Sequence, residues 1–322
     1  MGSQGTKTIK VVRKTHIPIE HPAPSRRNGH VRAATDNDPA LPARWPGDPS
    51  AIMLAAKFNL LQGNFAMPGT SDESPRMRSN IEREARIDLA AALRLAVANG
   101  FHEGIDNHFS LALPDHKNGF LLNPYGLHWS EVRATDLLEV DFEGHVISGT
   151  GIADRTAVCI HGPIHKRGFA CVLHTHMPFA TALTQLEDMT VEMVGQTALG
   201  FYGDIAYDYS YRGLALDFAE GERMAEIMGQ HPILMLANHG VIVCGNSVAE
   251  AFNSLYFLER ACQTQILAMS TGKPMRRLSP RVAETTRHQI NHLQLSEGQN
   301  TYDYHFAALK RLLDRREPDY AD

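Results

Sequence analysis

Between residues 79 and 275 the hydrophobic positions switch repeatedly between helical and extended spacing. SNIEREARIDLAAALRLAVANG carries apolar residues at Ile87, Leu89, Ala91, Leu93 and Leu95, preceded by a Ser79/Glu82 capping-box pattern and followed by Gly100, and predicts a helix. HFSLALPD and GFLLNP alternate as strands, and LLEVDFEGHVISG reads as two strands around a Glu-Gly turn. RTAVCIHGPIHKRG has helical spacing despite Gly162 and Pro163. FACVLHTH is a buried-strand run, and PFATALTQLED continues as a helix with Pro178 near its first position. HPILMLANHGVIVCG is two apolar runs split by Asn238, His239 and Gly240, a hairpin signal. SVAEAFNSLYFLERACQTQILAMSTG predicts the strongest helix, capped by Ser247 and Glu250 and closed by Gly272 and Pro274. Strands alternating with helices through one stretch favour a single layered α/β domain over two separate ones.

The flanks have a different texture. HPAPSRRNGH, DNDPALPARWPGDPS and MPGTSDESP are rich in Pro, Gly, Asp and Ser, with AIMLAAKFNLLQG as one short apolar helix between them. Residues 1–75 are therefore expected to form an extended, partly disordered arm on their own or a neighbouring subunit. At the other end NTYDYHFAALKRLLDRREPDY has helical apolar spacing at Phe306, Leu309, Leu312 and Leu313. The expected division is an arm over 1–75, a folded domain over 76–275 and a helical extension over 276–322.

Composition removes several classes of function. The 322 residues suffice for a large core, and 43% hydrophobic with 21% charged residues is the ordinary balance of a globular protein. No apolar run approaches the roughly 18 residues of a membrane span. A net charge of -5 supplies no basic field for nucleic acid. The four cysteines, Cys159, Cys171, Cys244 and Cys262, lie far apart in apolar contexts with no CxxC pair, which points to a reduced, cytoplasmic interior. The N-terminus lacks the apolar core of a secretory signal. MGSQGT, with Lys7, Lys10, Arg13 and Lys14 after it, fits the short N-myristoylation pattern, a match that is also common by chance.

The candidate chemistry is concentrated in histidines. In an extended strand His174 and His176 project from one face, because side chains alternate with a period of two. Such a pair can chelate one ion where a strand ends and a helix begins; alternatively, one imidazole caps the helix and the other is solvated. His239 lies between two apolar runs, where an imidazole is costly unless it turns into a cleft, and Gly240 permits the close backbone approach this needs. Two histidines from one strand and a third from another match the open His₃ arrangement of catalytic metal sites.

VLHTHMPFATAL and LANHGVIVCGNSVAEAFNSLYFLERACQTQ resemble the two signature blocks of the class II aldolase/adducin family. NHFSLALPD, LLNPYGLHWSEVRATDLLEVDFEGHVI and IAYDYSYRGLA are similar to its adducin-like branch, so the resemblance spans residues 80–275 in five ordered blocks. It implies a three-layer α/β/α domain with a central mixed, largely antiparallel sheet. It also implies a divalent metal, usually Zn2+ with Mn2+, Fe2+ or Co2+ as alternatives, held by His174, His176 and His239. From the same resemblance come a small-molecule substrate and a homotetramer in which a neighbour's C-terminal segment completes the site; packing of that segment on its own chain is the alternative.

The chain departs from the family's sugar-phosphate aldolases at the residues that define them. Their metal-binding and acid/base Glu falls at Ala157 here, and the nearest carboxylate, Asp154, needs a shifted register to reach the metal. Their phosphate-binding turns correspond to Asp106-Asn107, NPYG and GIADRT, and Asp106 would repel a phosphate dianion. The expected activity is thus a metal-dependent lyase, cleaving or decarboxylating an unphosphorylated hydroxy-keto or hydroxylated aromatic carboxylate. Proton-transfer candidates are His161, His165, His128 and Tyr125, with Tyr209 behind them. His161 and His165, spaced i and i+4, share a helix face and equally suit orienting the ligands. Trp129 and Tyr125 could wall a flat substrate or simply pack, and the resemblance brings Gln196 towards the site. The other readings are a non-catalytic adducin-like assembly domain that retains its metal site, and a structural zinc site at a subunit interface.

Overall fold

In HFSLA and CVLHT, alternate residues carry different tasks, and the fold is built on that alternation. The computed structural model describes residues 75–112, 119–296 and 299–322; the expectations for the N-terminal arm and its lipidation fall on residues outside these. Eight strands form one sheet: β1 (His108–Ala112), β2 (Gly119–Leu122), β3 (Leu138–Asp141), β4 (Val146–Ser148), β5 (Cys171–Thr175), β6 (Ile205–Asp208), β7 (Ile233–Leu236) and β8 (Gly240–Gly245). Their order is β4-β3-β2-β1-β5-β8-β7-β6. Every pairing is antiparallel except β6 with β7, so the sheet is mixed and largely antiparallel as expected.

Helices cover both faces. One face of the sheet offers Phe109, Leu111, Leu121, Leu173, Met235, Val241 and Val243. Against it pack α1 (Pro75–Asn99), α3 (Pro178–Thr184) and α6 (Val248–Met269), through residues such as Leu93, Leu183 and Phe252. The opposite face offers Val172, Leu234, Ile242 and Cys244 to α2 (Arg155–Lys166) and α5 (Phe218–Met228). Short α4 (Gln196–Leu199) precedes β6, and α7 (Pro280–Asn291), the two-stranded β9 (Gln294–Ser296) and β10 (Gln299–Asn300) and α8 (Thr301–Arg316) complete the chain. This is the three-layer α/β/α arrangement. Among the described residues no helix is long and apolar enough to cross a membrane.

One local difference from the sequence reading has a physical reason. The first helix starts at Pro75, with proline's fixed φ suited to a first turn, so the Ser79/Glu82 pattern lies inside α1 rather than capping it. Pro163 sits within α2 without ending it, as the helical spacing predicts. It cannot donate to the Cys159 carbonyl one turn back. Gly221 of α5 crosses over that carbonyl so closely that a Cβ there would lie 1.7 Å from the oxygen.

The C-terminal extension packs on its own chain. Phe306 and Leu313 of α8 are buried in the core shared with α1 and α6, while Leu312 is exposed.

Candidate metal centre

β5 runs extended to Thr175, and His176 follows it directly, so His174 and His176 fall on one side of the strand. His239 comes from the turn joining β7 to β8, where Asn238 adopts a left-handed φ of 56°. That turn is pressed against the end of β5: a Cβ at position 240 would sit 2.6 Å from the Thr175 carbonyl oxygen and 2.7 Å from His176 Cδ2. Only glycine lets the two elements approach this closely. Among the described residues, His174, His176 and His239 are the group whose ligand atoms converge, all within 4.8 Å of one another.

The surroundings decide which nitrogens are free. His174 Nδ1 lies 2.9 Å from the Val241 carbonyl and donates to it, which leaves Nε2 as a lone pair. His176 Nδ1 meets the Glu103 carboxylate, and its backbone N–H donates to Asn107 Oδ1 at 3.1 Å. His176 Nε2 is then buried with no hydrogen-bond partner, an orphan that a bound cation would satisfy. Burial first, then the neighbouring imidazoles, holds His174 well below its ordinary value; burial and His176 bring His239 down to about 4. Both are therefore neutral near pH 7, the state in which imidazole binds metal. Three converging imidazoles with a carboxylate behind one of them fit a divalent ion such as zinc.

A second set of imidazoles lies beneath the first. β1 pairs with β5 so that His108 stands opposite His174, with their ring centroids 4.9 Å apart. The period of two places His108 and Ser110 on the face covered by α2, whose helical period presents His161 and His165 to the same face. His108 Nδ1 lies 2.8 Å from His161 Nε2, and Ser110 Oγ lies 2.5 Å from His161 Nδ1 and 2.7 Å from His165 Nε2. His165 Nδ1 donates to the Phe169 carbonyl at 2.8 Å. Burial brings His108 and His165 down to about 4 and His161 well below its ordinary value. His161 and His165 thus sit under the site, joined to it through His108.

The other expected residues are distributed around this centre. Ala157 is fully buried against the sheet. Asp154 is occupied as the N-cap of α2, accepting from the Thr156 backbone N–H and hydroxyl, each at 2.9 Å. Tyr125, in the loop after β2, is exposed and its backbone N–H donates to the Ile152 carbonyl. His128, in the same loop, has Nδ1 2.7 Å from Ser130 Oγ and its ring 5.0 Å from that of His102. Trp129 is fully buried against Phe109 and takes the packing role. Tyr209 is exposed beside Tyr207. Gln196 is exposed in a separate cleft with Asn253 and His305. Sequence reasoning did not single out Glu103, His108, Ser110 or Tyr211, whose ring lies 6.1 Å from His239. It read Asn107 only as part of a phosphate turn, not as the partner of the His176 backbone.

Comparison with known proteins agrees with this architecture. The family model described as the Class II Aldolase and Adducin N-terminal domain matches residues 87–266. A Caulobacter vibrioides protein provisionally named as a class 2 aldolase is 35% identical over 248 residues, covering 76% of this chain and 94% of its own. Human beta-adducin is 30% identical over 247 residues, which is 72% of this chain but 34% of beta-adducin. Among solved structures, an aldolase II superfamily protein from Pseudomonas syringae superposes with TM-score 0.69 at 33% identity, covering 78% of this chain and 98% of that one. L-fuculose 1-phosphate aldolase from Glaciozyma antarctica shares the fold, with TM-score 0.67 at 24% identity over 79% of this chain and 96% of its own. The chain belongs to the class II aldolase/adducin family, whose enzymes are generally divalent-metal-dependent lyases.

Proposed function

We propose that this protein is a zinc-dependent carbon–carbon lyase acting on a small unphosphorylated hydroxy-keto or hydroxylated aromatic carboxylate, by retro-aldol cleavage or decarboxylation. The observation that carries the reading is the convergence of three imidazoles, with His176 Nε2 buried and unpartnered. When bound, a divalent cation supplies Lewis-acid stabilisation of the negative charge that develops on a substrate oxygen as the carbon–carbon bond breaks. His174, His176 and His239 would hold it, and Mn2+, Fe2+ and Co2+ suit the same donors.

The chain's own residues then bind the substrate and move its proton. A phosphosugar is disfavoured by Asp106 in the first turn, whose carboxylate would repel a phosphate dianion. No carboxylate occupies position 157, so proton transfer falls to groups that can reach solvent and substrate, of which Tyr125 and His128 are the candidates. His161 and His165, buried under the site, act through their neighbours. The reading includes a cytoplasmic homotetramer, on the strength of the family and the reduced cysteines.

The competing reading is a non-catalytic assembly domain, favoured by the missing carboxylate and the beta-adducin relationship. A panel of hydroxy-keto acids and dihydroxy aromatic acids separates the two. Zinc-loaded wild type should turn over at least one member, and His174→Ala should abolish that turnover. Equal turnover by both proteins, or tighter binding of sugar phosphates than of their unphosphorylated forms, contradicts the proposal.

A further inference from the structure

The chain Phe169, His165, Ser110, His161, His108 has one consistent direction. The Phe169 carbonyl can only accept, so His165 carries its hydrogen on Nδ1 and accepts at Nε2. Ser110 has one hydroxyl hydrogen, which goes to His165 Nε2 at 2.7 Å, so Ser110 Oγ accepts from His161 Nδ1 at 2.5 Å. His161 Nε2 is then a lone pair, and His108 Nδ1 must donate to it at 2.8 Å. Reversing any link would place two hydrogens or two lone pairs face to face, or a charged imidazole in a fully buried position with no carboxylate bonded to it.

The direction fixes the far end. His108 Nε2 is left as a lone pair, and the polar atom next to it is Thr156 Oγ1 at 3.4 Å. That hydroxyl hydrogen is better used on Asp154 Oδ2, 2.9 Å away, a shorter and charge-assisted bond. His108 therefore reaches the edge of the three-histidine cluster, beside His174, as a pure acceptor.

We propose that this buried chain locks His108 in its Nδ1–H form so that Nε2 accepts a hydroxyl hydrogen of the substrate, which makes His108 a specificity-determining residue that selects a hydroxyl at that position. The proposal rests on the three-histidine cluster being the reaction centre. His161, Ser110 and His165 are then positioning residues. An ether or carbonyl at the same place would set lone pair against lone pair.

Two measurements on the full-length protein test it. Neutron diffraction from deuterium-exchanged crystals should show deuterium on Nδ1 of His108, His161 and His165; deuterium on His108 Nε2 overturns the proposal. Calorimetry with glycolate and methoxyacetate, in which a methyl group replaces the hydroxyl hydrogen, should show zinc-loaded wild type preferring glycolate by about tenfold, the worth of one buried hydrogen bond. His108→Phe should lose that preference while still binding zinc, and Ser110→Ala should reduce it. Undiminished preference in His108→Phe, or no glycolate binding by wild type, overturns the acceptor role. Failure to load zinc sinks the metal reading alone, because the deuterium positions decide the chain without it.

Discussion

At Gly240 the absence of a side chain lets the β7–β8 turn bring His239 against His176. In Gly240→Ala the new methyl group would meet the Thr175 carbonyl and the His176 ring, so the ligands must separate. Zinc affinity, measured by competition with a chelator, should fall at least about tenfold, with about 1–3 kcal/mol lost from folding stability. Glu103→Gln removes the carboxylate behind His176 Nδ1 and should weaken zinc by about 10- to 100-fold with little effect on the fold, because Glu103 is mostly exposed. Unchanged affinity in both variants would mean that the cluster is not the binding site. The three ligands were legible because an HxH pair ending a strand and an Asn-His-Gly turn are local signals. His108 and Ser110 were written just as locally, as the polar positions of HFSLA. Their meaning depends on His161 and His165, which lie 53 and 55 residues away along the chain from the atoms they meet, and one strand pattern does not reveal its partner.

Between β1 and α2 the protein stores neutral histidines, and this element pair should govern its response to acid. Burial lowers His108, His165 and His239 from 6.5 to about 4. The unfolded chain therefore binds more protons between those values, so stability is complete above about pH 6.5 and falls as pH drops towards 4. Each proton taken up on unfolding adds about 1.4 kcal/mol per pH unit to the slope. Urea titrations of metal-free protein from pH 7.5 to 4.5 should show this loss, reduced in His165→Phe; a flat profile would contradict neutral burial. Gly221→Ala, which drives a methyl group into the Cys159 carbonyl, should separate α2 from α5 and cost about 1–3 kcal/mol or more in the same assay. Most elements were readable from period and caps, including Pro178 at the start of α3 and Ser247 at the start of α6. What escaped was the start of α1, which lies at Pro75 rather than at the Ser79/Glu82 pattern, whereas the helical spacing of α2 through Pro163 was legible.

On the scale of the whole molecule, the chain's last residues are fastened to its first described helix. Arg94 of α1 is 4% exposed and donates to the Val132 carbonyl at 3.0 Å, to Glu317 at 3.1 Å and to Asp319 at 3.0 Å. Tyr320 is buried beside it with its hydroxyl donating to Asp314 at 2.6 Å. Because the two carboxylates are partly solvated, Arg94→Met should cost only about 1–3 kcal/mol, read as a lower midpoint in thermal unfolding. The sandwich architecture followed from alternating strand and helix patterns and from the family resemblance, whereas this clasp joins residues more than 220 positions apart and left no local trace. The three imidazoles meet in the middle of the sheet, where β5 ends and β8 begins. Elemental analysis of protein purified without added metal tests that centre most directly. It should find about one divalent ion per chain in wild type and almost none in His174→Ala. A metal-free wild type that also refuses added zinc would contradict the account.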